Sequence, residues 1–356
     1  MQNPLGHHLR ALPGPILLTG HTGFKGTWMT FLLEHLNVPV VGYSLLPERD
    51  SLFERAERTN AIPEVFADIR DYETLETFFD THKPTTIIHM AAQPLVLKSY
   101  ENPRDTFDVN IMGTVNLLDI AFKRDFVKAI IIVTTDKVYR NDNTGNAFVE
   151  TDPLEGKDPY SASKVGTEAV VAAWQQISKL SGGPKITSVR AGNVIGGGDL
   201  AIDRLLPDLI RGKISGNIVS VRNSASVRPW QHVLDPIRGY LELLEFLLRT
   251  NETLDAVNFG PIQRGISVKE ICDFVVERWN VKIEIFKSAD LSNDREAKYL
   301  DLNSSIATKF LGWSSELSQE ETLNATLDWW EMVLGLEQTA SEATKIQVKR
   351  FMKSKL

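Results

Sequence analysis

Pro15-Ile16-Leu17-Leu18-Thr19-Gly20-His21-Thr22-Gly23-Phe24-Lys25-Gly26 is the stretch that decides the fold. A short apolar run enters a turn with glycines spaced G-x-x-G-x-x-G, and a helix-forming stretch over 25–37 leaves it. Strand, glycine turn and helix in that order open a dinucleotide-binding βαβ unit. Gly20 permits the tight bend, Gly23 lets the backbone approach a pyrophosphate, and Gly26 lets the helix lie against the strand. The first turn of the helix then offers free N–H groups to the phosphates.

The same rhythm continues outward. Apolar runs at 38–43, 65–66, 86–90, 129–134 and 186–189 read as strands, and 72–83, 106–124 and 160–180 read as helices between them. Fully apolar strands alternating with helices describe a parallel sheet covered on both faces. The fold class is therefore α/β, a Rossmann-like doubly wound parallel sheet. After Arg190 the alternation breaks down. Helices at 203–211, 236–248 and 268–279 mix with a short strand at 218–221, which describes a smaller α+β lobe. The expected division is a flexible leader over 1–14 and a dinucleotide-binding domain over 15–190, with a returning segment at about 229–260. The lobe takes 191–228 and 261–335, and a polar tail takes 336–356. At about 150 residues per domain, 356 residues suit that division.

Composition narrows the function. A net charge of −7 gives no basic footprint for nucleic acid. The single cysteine, Cys272, excludes an intramolecular disulfide and a multi-cysteine zinc site, and the scattered histidines supply no metal-ligand spacing. No apolar run reaches the roughly 18 residues of a membrane span, and the N-terminus lacks the apolar core of a signal peptide. These features fit a cytoplasmic location. The end of the second strand, Tyr43-Ser44, lacks the usual acid, and Glu48-Arg49-Asp50 comes later, so the local motif leaves NAD and NADP both open. Asp68, after the third strand, is placed either at an adenine edge or as a helix cap.

Tyr160-Ser161-Ala162-Ser163-Lys164 starts a helix, and its first and last residues share a face. A free tyrosine, with a pKa near 10, is a poor base. A nearby Lys164 cation and a cationic nicotinamide favour its phenolate, which can then take a hydroxyl proton as the cofactor takes hydride. Upstream, the fifth strand ends in Thr135-Asp136-Lys137, at the carboxyl edge where doubly wound sheets bind ligands.

These strings together resemble the extended short-chain dehydrogenase/reductase superfamily and its NAD-dependent epimerase/dehydratase family, in particular the CDP-glucose 4,6-dehydratases. The resemblance runs from about 15 to 335. It rests on the glycine turn, Ala91-Ala92-Gln93-Pro94-Leu95-Val96, Asp136-Lys137-Val138-Tyr139, the stretch from Arg190 to Asp199, and Arg228-Pro229-Trp230-Gln231-His232-Val233. It implies NAD as cofactor, with Gly20, Thr22, Gly23, Phe24, Lys25, Gly26, Asp68, Ile69, Ala91, Ala92, Gln93, Tyr160 and Lys164 around it. It implies a CDP-hexose substrate touched by Gln93, Asn193, Arg204 and Arg228. Lys98 and Tyr100 border the cofactor or simply belong to a loop, and Trp230 and His232 are core or contact residues.

The implied chemistry is C4 oxidation, loss of water across C5–C6 and return of hydride to C6, in bacterial deoxysugar synthesis. Tyr160 and Lys164 serve the oxidation, Thr135 polarises the 4-oxygen, and Asp136 and Lys137 share the elimination. Related dTDP- and GDP-sugar dehydratases carry Asp-Glu where this chain has Asp136-Lys137. The resemblance also implies a homodimer formed by the helices at 106–124 and 160–180. Val138 and Leu200 depart from the cysteine and tryptophan common in the family. The competing readings are an epimerase on the same scaffold, which needs no elimination pair, and a non-enzymatic dinucleotide sensor, which would not need Tyr160 and Lys164.

Overall fold

Residues 4–143, 145–202, 204–221, 224–263, 265–285 and 299–353 are described by the computed structural model. A single helical turn, α1 (His7–Arg10), precedes β1 (Ile16–Thr19), α2 (Phe24–His35), β2 (Val40–Ser44), α3 (Leu52–Arg55), β3 (Glu64–Phe66), α4 (Tyr72–His82) and β4 (Thr86–His89). Next come α5 (Val96–Glu101), α6 (Pro103–Phe107), a π-helical turn (Asp108–Met112), α7 (Gly113–Phe122) and β5 (Ala129–Val133). A 3-10 turn (Asp136–Val138), the long α8 (Pro159–Ser181) and β6 (Lys185–Ala191) close the first half. The second half holds β7 (Val194–Ile195), α9 (Leu205–Ser215), β8 (Val219–Val221), β9 (Val227–Arg228), β10 (Gln231–His232), α10 (Leu234–Arg249) and β11 (Ala256–Phe259). The chain ends with β12 (Ile266–Ser267), α11 (Val268–Trp279), β13 (Ile283–Ile285), a π turn (Ala307–Leu311), α12 (Gln319–Leu334) and α13 (Ala340–Lys353).

Seven strands form the central sheet in the order β11-β6-β5-β4-β1-β2-β3, and every neighbouring pair is parallel. The chain leaves β3 at one edge and re-enters beside β1 as β4, so the order reverses between β1 and β4. A crevice opens at such a switch point, above the carboxyl ends of the strands. Alternation along each strand feeds both faces. Leu18 and Ile88 join a core with Trp28, Trp313 and Trp329, while Leu17 and Ile87 join a second core with Phe79 and Leu117.

Local chemistry explains the element that matters most. Asp158 caps α8: its carboxylate accepts from the Ser161 N–H at 3.0 Å, and the Ser161 hydroxyl accepts from the Asp158 N–H at 3.1 Å. Pro159 supplies a pre-set first helical residue, and Gly182 stops the helix with φ 73°.

Some expected elements differ. The helix expected over 106–124 is α6, a π turn and α7 in succession. The expected start at Asp203 of the helix that appears as α9 lies outside the described residues, as do residues 1–3 of the leader and 354–356 of the tail. The rest of the leader is anchored: Leu9 is buried, and the Arg10 guanidinium donates to the Leu36 carbonyl at 2.8 Å. The tail forms α13, whose Ala343, Val348 and Phe351 are buried. Their helical spacing supplies an apolar face within an otherwise polar composition. Thr344 accepts from the Trp329 indole at 3.0 Å, and Lys345 pairs with Glu34 of α2 at 3.0 Å.

Candidate active site

The glycine turn is built by close contact. Thr19, at the end of β1, donates to His89 Nδ1 of β4 at 2.7 Å, and its oxygen accepts the Met90 and Ala91 N–H groups at 3.1 and 3.2 Å. Burial holds His89 neutral, with its pKa drawn down to about 3, so the imidazole can accept at Nδ1 and donate from Nε2 to Thr114 at 3.2 Å. Gly20 has φ 73°, and a Cβ there would lie 2.8 Å from the Ala91 nitrogen. A Cβ on Gly26 would lie 2.1 Å from the Gly20 carbonyl oxygen.

Gly23 differs, because a Cβ on it would meet only the Gly20 oxygen, at 3.4 Å. It is the N-cap of α2, no side chain caps it, and no acid stands in the first turn. Open space over uncapped N–H groups fits a dinucleotide pyrophosphate. Thr22 closes the far side through Ser44 Oγ at 2.7 Å and the Leu45 carbonyl at 3.1 Å. Phe24 and Lys25 begin α2, with the Lys25 ammonium 6.0 Å from the centre of the Tyr240 ring. Ala91 and Ala92 follow β4, half-buried.

Asp68 follows β3, with its carboxylate gripped by Arg70 at 2.6 and 3.0 Å. That grip lowers its pKa. The same guanidinium reaches Asp105 at 2.9 Å and Asp108 at 3.1 Å. Ile69 is buried, and a Cβ on Gly113 would lie 2.5 Å from it. Gln93 spends its side chain inside the protein: the amide donates to Leu95 O and Thr106 Oγ1, and its carbonyl accepts from Leu95 N. Lys98 and Tyr100 lie exposed on α5.

At the C-terminal end of β5, Thr135 caps the 3-10 turn that carries Asp136 and Lys137. The Thr135 hydroxyl donates to Asp136 Oδ1 at 3.0 Å, and the buried Oδ2 has no partner among the described residues. Burial pushes the Asp136 carboxyl upward, opposed by Lys137, Thr135, Arg228 and Lys25. Tyr160 and Lys164, on the first turns of α8, are both buried. The Lys164 ammonium donates to the Val133 carbonyl at 3.0 Å, and burial pulls its pKa to about 8.

Among the protein's own groups, burial pushes the Tyr160 phenol up to about 12, and the Thr135 hydroxyl and Arg204 only partly offset this. Desolvation outweighs the positive charge of Arg204. Lys25, like Lys164, is drawn down to about 8, by burial and then by Arg204, while Asp136 works the other way.

The two later strings meet over this centre. β7 pairs with β10, and a Cβ on Gly192 would lie 3.2 Å from both Asp136 Oδ2 and Pro229 Cγ. Asn193 is half-exposed, and its carbonyl accepts the Gln231 N–H at 3.0 Å. Arg204 donates to Asp199 at 3.2 Å, and Arg228 donates to the Val227 carbonyl at 2.9 Å. Trp230 and His232 are core residues, His232 lying edge-on to Trp28 at 5.6 Å. Thr135, Asp136, Lys137, Tyr160, Lys25, Arg204 and Arg228 thus share one electrostatic neighbourhood.

Two structural contributors escaped the sequence reading. Asn110, in the π turn, accepts the Gln93 N–H at 2.8 Å and donates to Ser163 at 2.8 Å. Glu168 lies one turn beyond Lys164 and forms a buried ion pair with Arg190 at 2.9 Å. Its i, i+4 spacing from Lys164 was the available signal.

Residues 16–258 match the family described as "NAD dependent epimerase/dehydratase family", and the chain belongs to it. The protein is an NAD-dependent enzyme. It is similar to the CDP-glucose 4,6-dehydratase of Salmonella typhimurium, at 38% identity, with 88% of this chain and 89% of that protein covered. It is also similar to the UDP-glucuronate 4-epimerase of Thermodesulfobacterium geofontis, at 30% identity, covering 89% and 96%. Its fold is similar to that of DesIV, a dTDP-glucose 4,6-dehydratase from Streptomyces venezuelae solved with NAD and TYD bound. The TM-score there is 0.78 at 21% identity, covering 90% of this chain and 98% of the other.

Proposed function

We propose that the protein is a CDP-glucose 4,6-dehydratase, converting CDP-D-glucose to CDP-4-keto-6-deoxy-D-glucose and water. The observation that carries this reading is the Thr135-Asp136-Lys137 turn beside Tyr160 and Lys164, which joins an elimination pair to an oxidation pair. The similarity to the Salmonella enzyme supports CDP-glucose as the substrate.

NAD, when bound, would supply a reversible hydride acceptor. Tyr160 takes the 4-hydroxyl proton as its phenolate, a form that Lys164 and the cationic nicotinamide of bound NAD would favour, with Thr135 polarising the 4-oxygen. A 4-ketone acidifies the C5 proton. Asp136, whose burial favours the protonated carboxyl, suits donation from its unpartnered oxygen to the departing C6 hydroxyl. The neutral amine of Lys137 receives the C5 proton as the water leaves and later returns a proton to C5, so the product keeps its C5 hydrogen. Arg204 and Arg228 suit the diphosphate, since guanidinium forks match phosphate oxygens, and Asn193 follows Gly192, on which a Cβ would lie 3.2 Å from Pro229, next to Arg228.

No helix among the described residues is long and apolar enough to cross a membrane. A cytoplasmic homodimer acting in deoxysugar synthesis completes the reading. Phe107, Met112, Ile177 and Leu180, exposed on or beside α6, α7 and α8, support pairing of two copies through those helices.

The test is to incubate the protein and NAD separately with CDP-, dTDP-, UDP- and GDP-glucose and to read each product mass. Loss of one water from CDP-glucose alone is expected. Water loss only from another nucleotide overturns the CDP assignment, and an unchanged mass throughout overturns the dehydratase reading for glucose substrates.

A further inference from the structure

A buried carboxylate outside the reacting groups ties the site together. Glu168 lies on α8, one turn beyond Lys164, and both its oxygens are used. Oε1 accepts from the Thr134 hydroxyl at 2.5 Å and from Arg190 Nε at 2.9 Å. Oε2 accepts from the Ser188 hydroxyl at 2.7 Å and from Arg190 Nη2 at 2.9 Å. Arg190 Nη1 continues to the Tyr139 hydroxyl at 2.8 Å and the Glu150 carbonyl at 3.0 Å, with the guanidinium 4.9 Å from the centre of the Tyr139 ring. Tyr139 in turn donates to Asn258 of β11 at 2.7 Å.

Thr134 and Tyr139 bracket Thr135, Asp136 and Lys137. One ion pair therefore grips both ends of the segment that carries the elimination groups. Its carboxylate belongs to the helix that carries Tyr160 and Lys164, and Lys164 itself is tied to Val133, one residue before Thr134. A buried pair is weak evidence for stability, since desolvation offsets its attraction, and its best-attested use is to fix register.

We infer that the Glu168–Arg190 pair is a positioning device that holds the elimination segment in register with the oxidation pair on α8. The inference rests on the dehydratase reading. Loosening the pair shifts residues 134–139 relative to α8 while leaving Tyr160 and Lys164 in place on the helix. Elimination, which draws both Asp136 and Lys137 from that segment, then suffers more than C4 oxidation, which draws only Thr135 from it, and the two steps come apart.

The experiment compares wild type, Glu168→Gln and Tyr139→Phe on CDP-glucose with NAD. Product masses are followed in time, beside thermal unfolding of each protein. Wild type that releases no water overturns the dehydratase reading itself, which separates that failure from this one. With an active wild type, Glu168→Gln is expected to lose about 10²-fold in kcat. Its KM should stay within about threefold, as expected when ground-state binding survives. The 4-keto hexose still carrying its C6 hydroxyl should accumulate. Tyr139→Phe, which removes one hydroxyl at the far end of the segment, should show a smaller fall with the same intermediate. It decides the matter if Glu168→Gln does not fold. Folded variants that unfold at lower temperature yet accumulate no intermediate overturn the inference, because a merely structural pair changes the folded fraction and not the balance between steps.

Discussion

Replacing Lys164 by methionine should make the protein more stable and nearly inactive. Burial draws the ammonium from 10.5 down to about 8, so keeping it charged at neutral pH costs the folded state about 3 kcal/mol. Methionine removes the charge and retains most of the stem. It also loses the hydrogen bond to the Val133 carbonyl at 3.0 Å, a loss of about 1–2 kcal/mol. The net expectation is a gain of about 1–2 kcal/mol at neutral pH.

The sign of the pH dependence follows from the lowered folded-state value. Below about 8 the folded and unfolded chains both hold the proton, and wild type carries the full penalty. As pH rises from about 8 to 10.5 the folded chain has released a proton that the unfolded chain still holds, so wild type gains stability. The advantage of the variant therefore shrinks and changes sign within that interval, and above it only the lost hydrogen bond remains. Urea unfolding of both proteins without cofactor, at neutral and alkaline pH, measures the difference. Turnover should fall by about 10²–10⁴-fold, the range for losing a proton-transfer partner. A variant less stable than wild type at neutral pH, or a difference that ignores pH, would refute the reasoning.

Three further outcomes follow from the same geometry. Lys137→Ala should retain C4 oxidation and lose water release, so a 4-keto hexose with its C6 hydroxyl intact appears by mass; normal water release would remove Lys137 from the elimination. Because burial raises the Asp136 carboxyl and the protonated form is the acid, elimination should fall as pH rises through its folded-state value. Asp136→Asn should be slow and lack that alkaline limb, whereas an unchanged pH profile would assign the acid elsewhere. Gly26→Ala places a Cβ 2.1 Å from a backbone oxygen and should destabilise the fold by about 1–3 kcal/mol. Gly23→Ala meets only one atom at 3.4 Å and should leave unfolding almost unchanged while weakening NAD binding in a titration. Equal effects at the two glycines would contradict the cradle.

What the sequence made legible was local. Residues 15–26 contain their own turn chemistry, and fully apolar strands such as Ala129–Val133 signal a sheet buried on both faces. Tyr160 and Lys164 are readable as neighbours because helical spacing alone brings them together. What stayed hidden depends on distant partners. The π turn at Asp108–Met112 carries no glycine or proline to mark it, and its Asn110 finds Gln93 and Ser163 only after folding. Gln93 reads as a contact residue, and its engagement with Leu95 and Thr106 depends on the folded loop. The Tyr160 phenol moves up because desolvation, a property of the folded environment, exceeds the pairwise charge effect. α13 was obscured by its polar composition, since a narrow apolar stripe suffices to seat it on α2 and α12.

The central claim is that one site oxidises C4, eliminates water and returns the same hydrogen to C6. CDP-glucose deuterated at C4, turned over with NAD, tests it in one experiment by locating the label in the product. Deuterium at C6 of a 4-keto-6-deoxy product, retained in ordinary water, is the predicted result. A product without deuterium at C6, or an unreduced hexose epimerised at C4, would contradict the account.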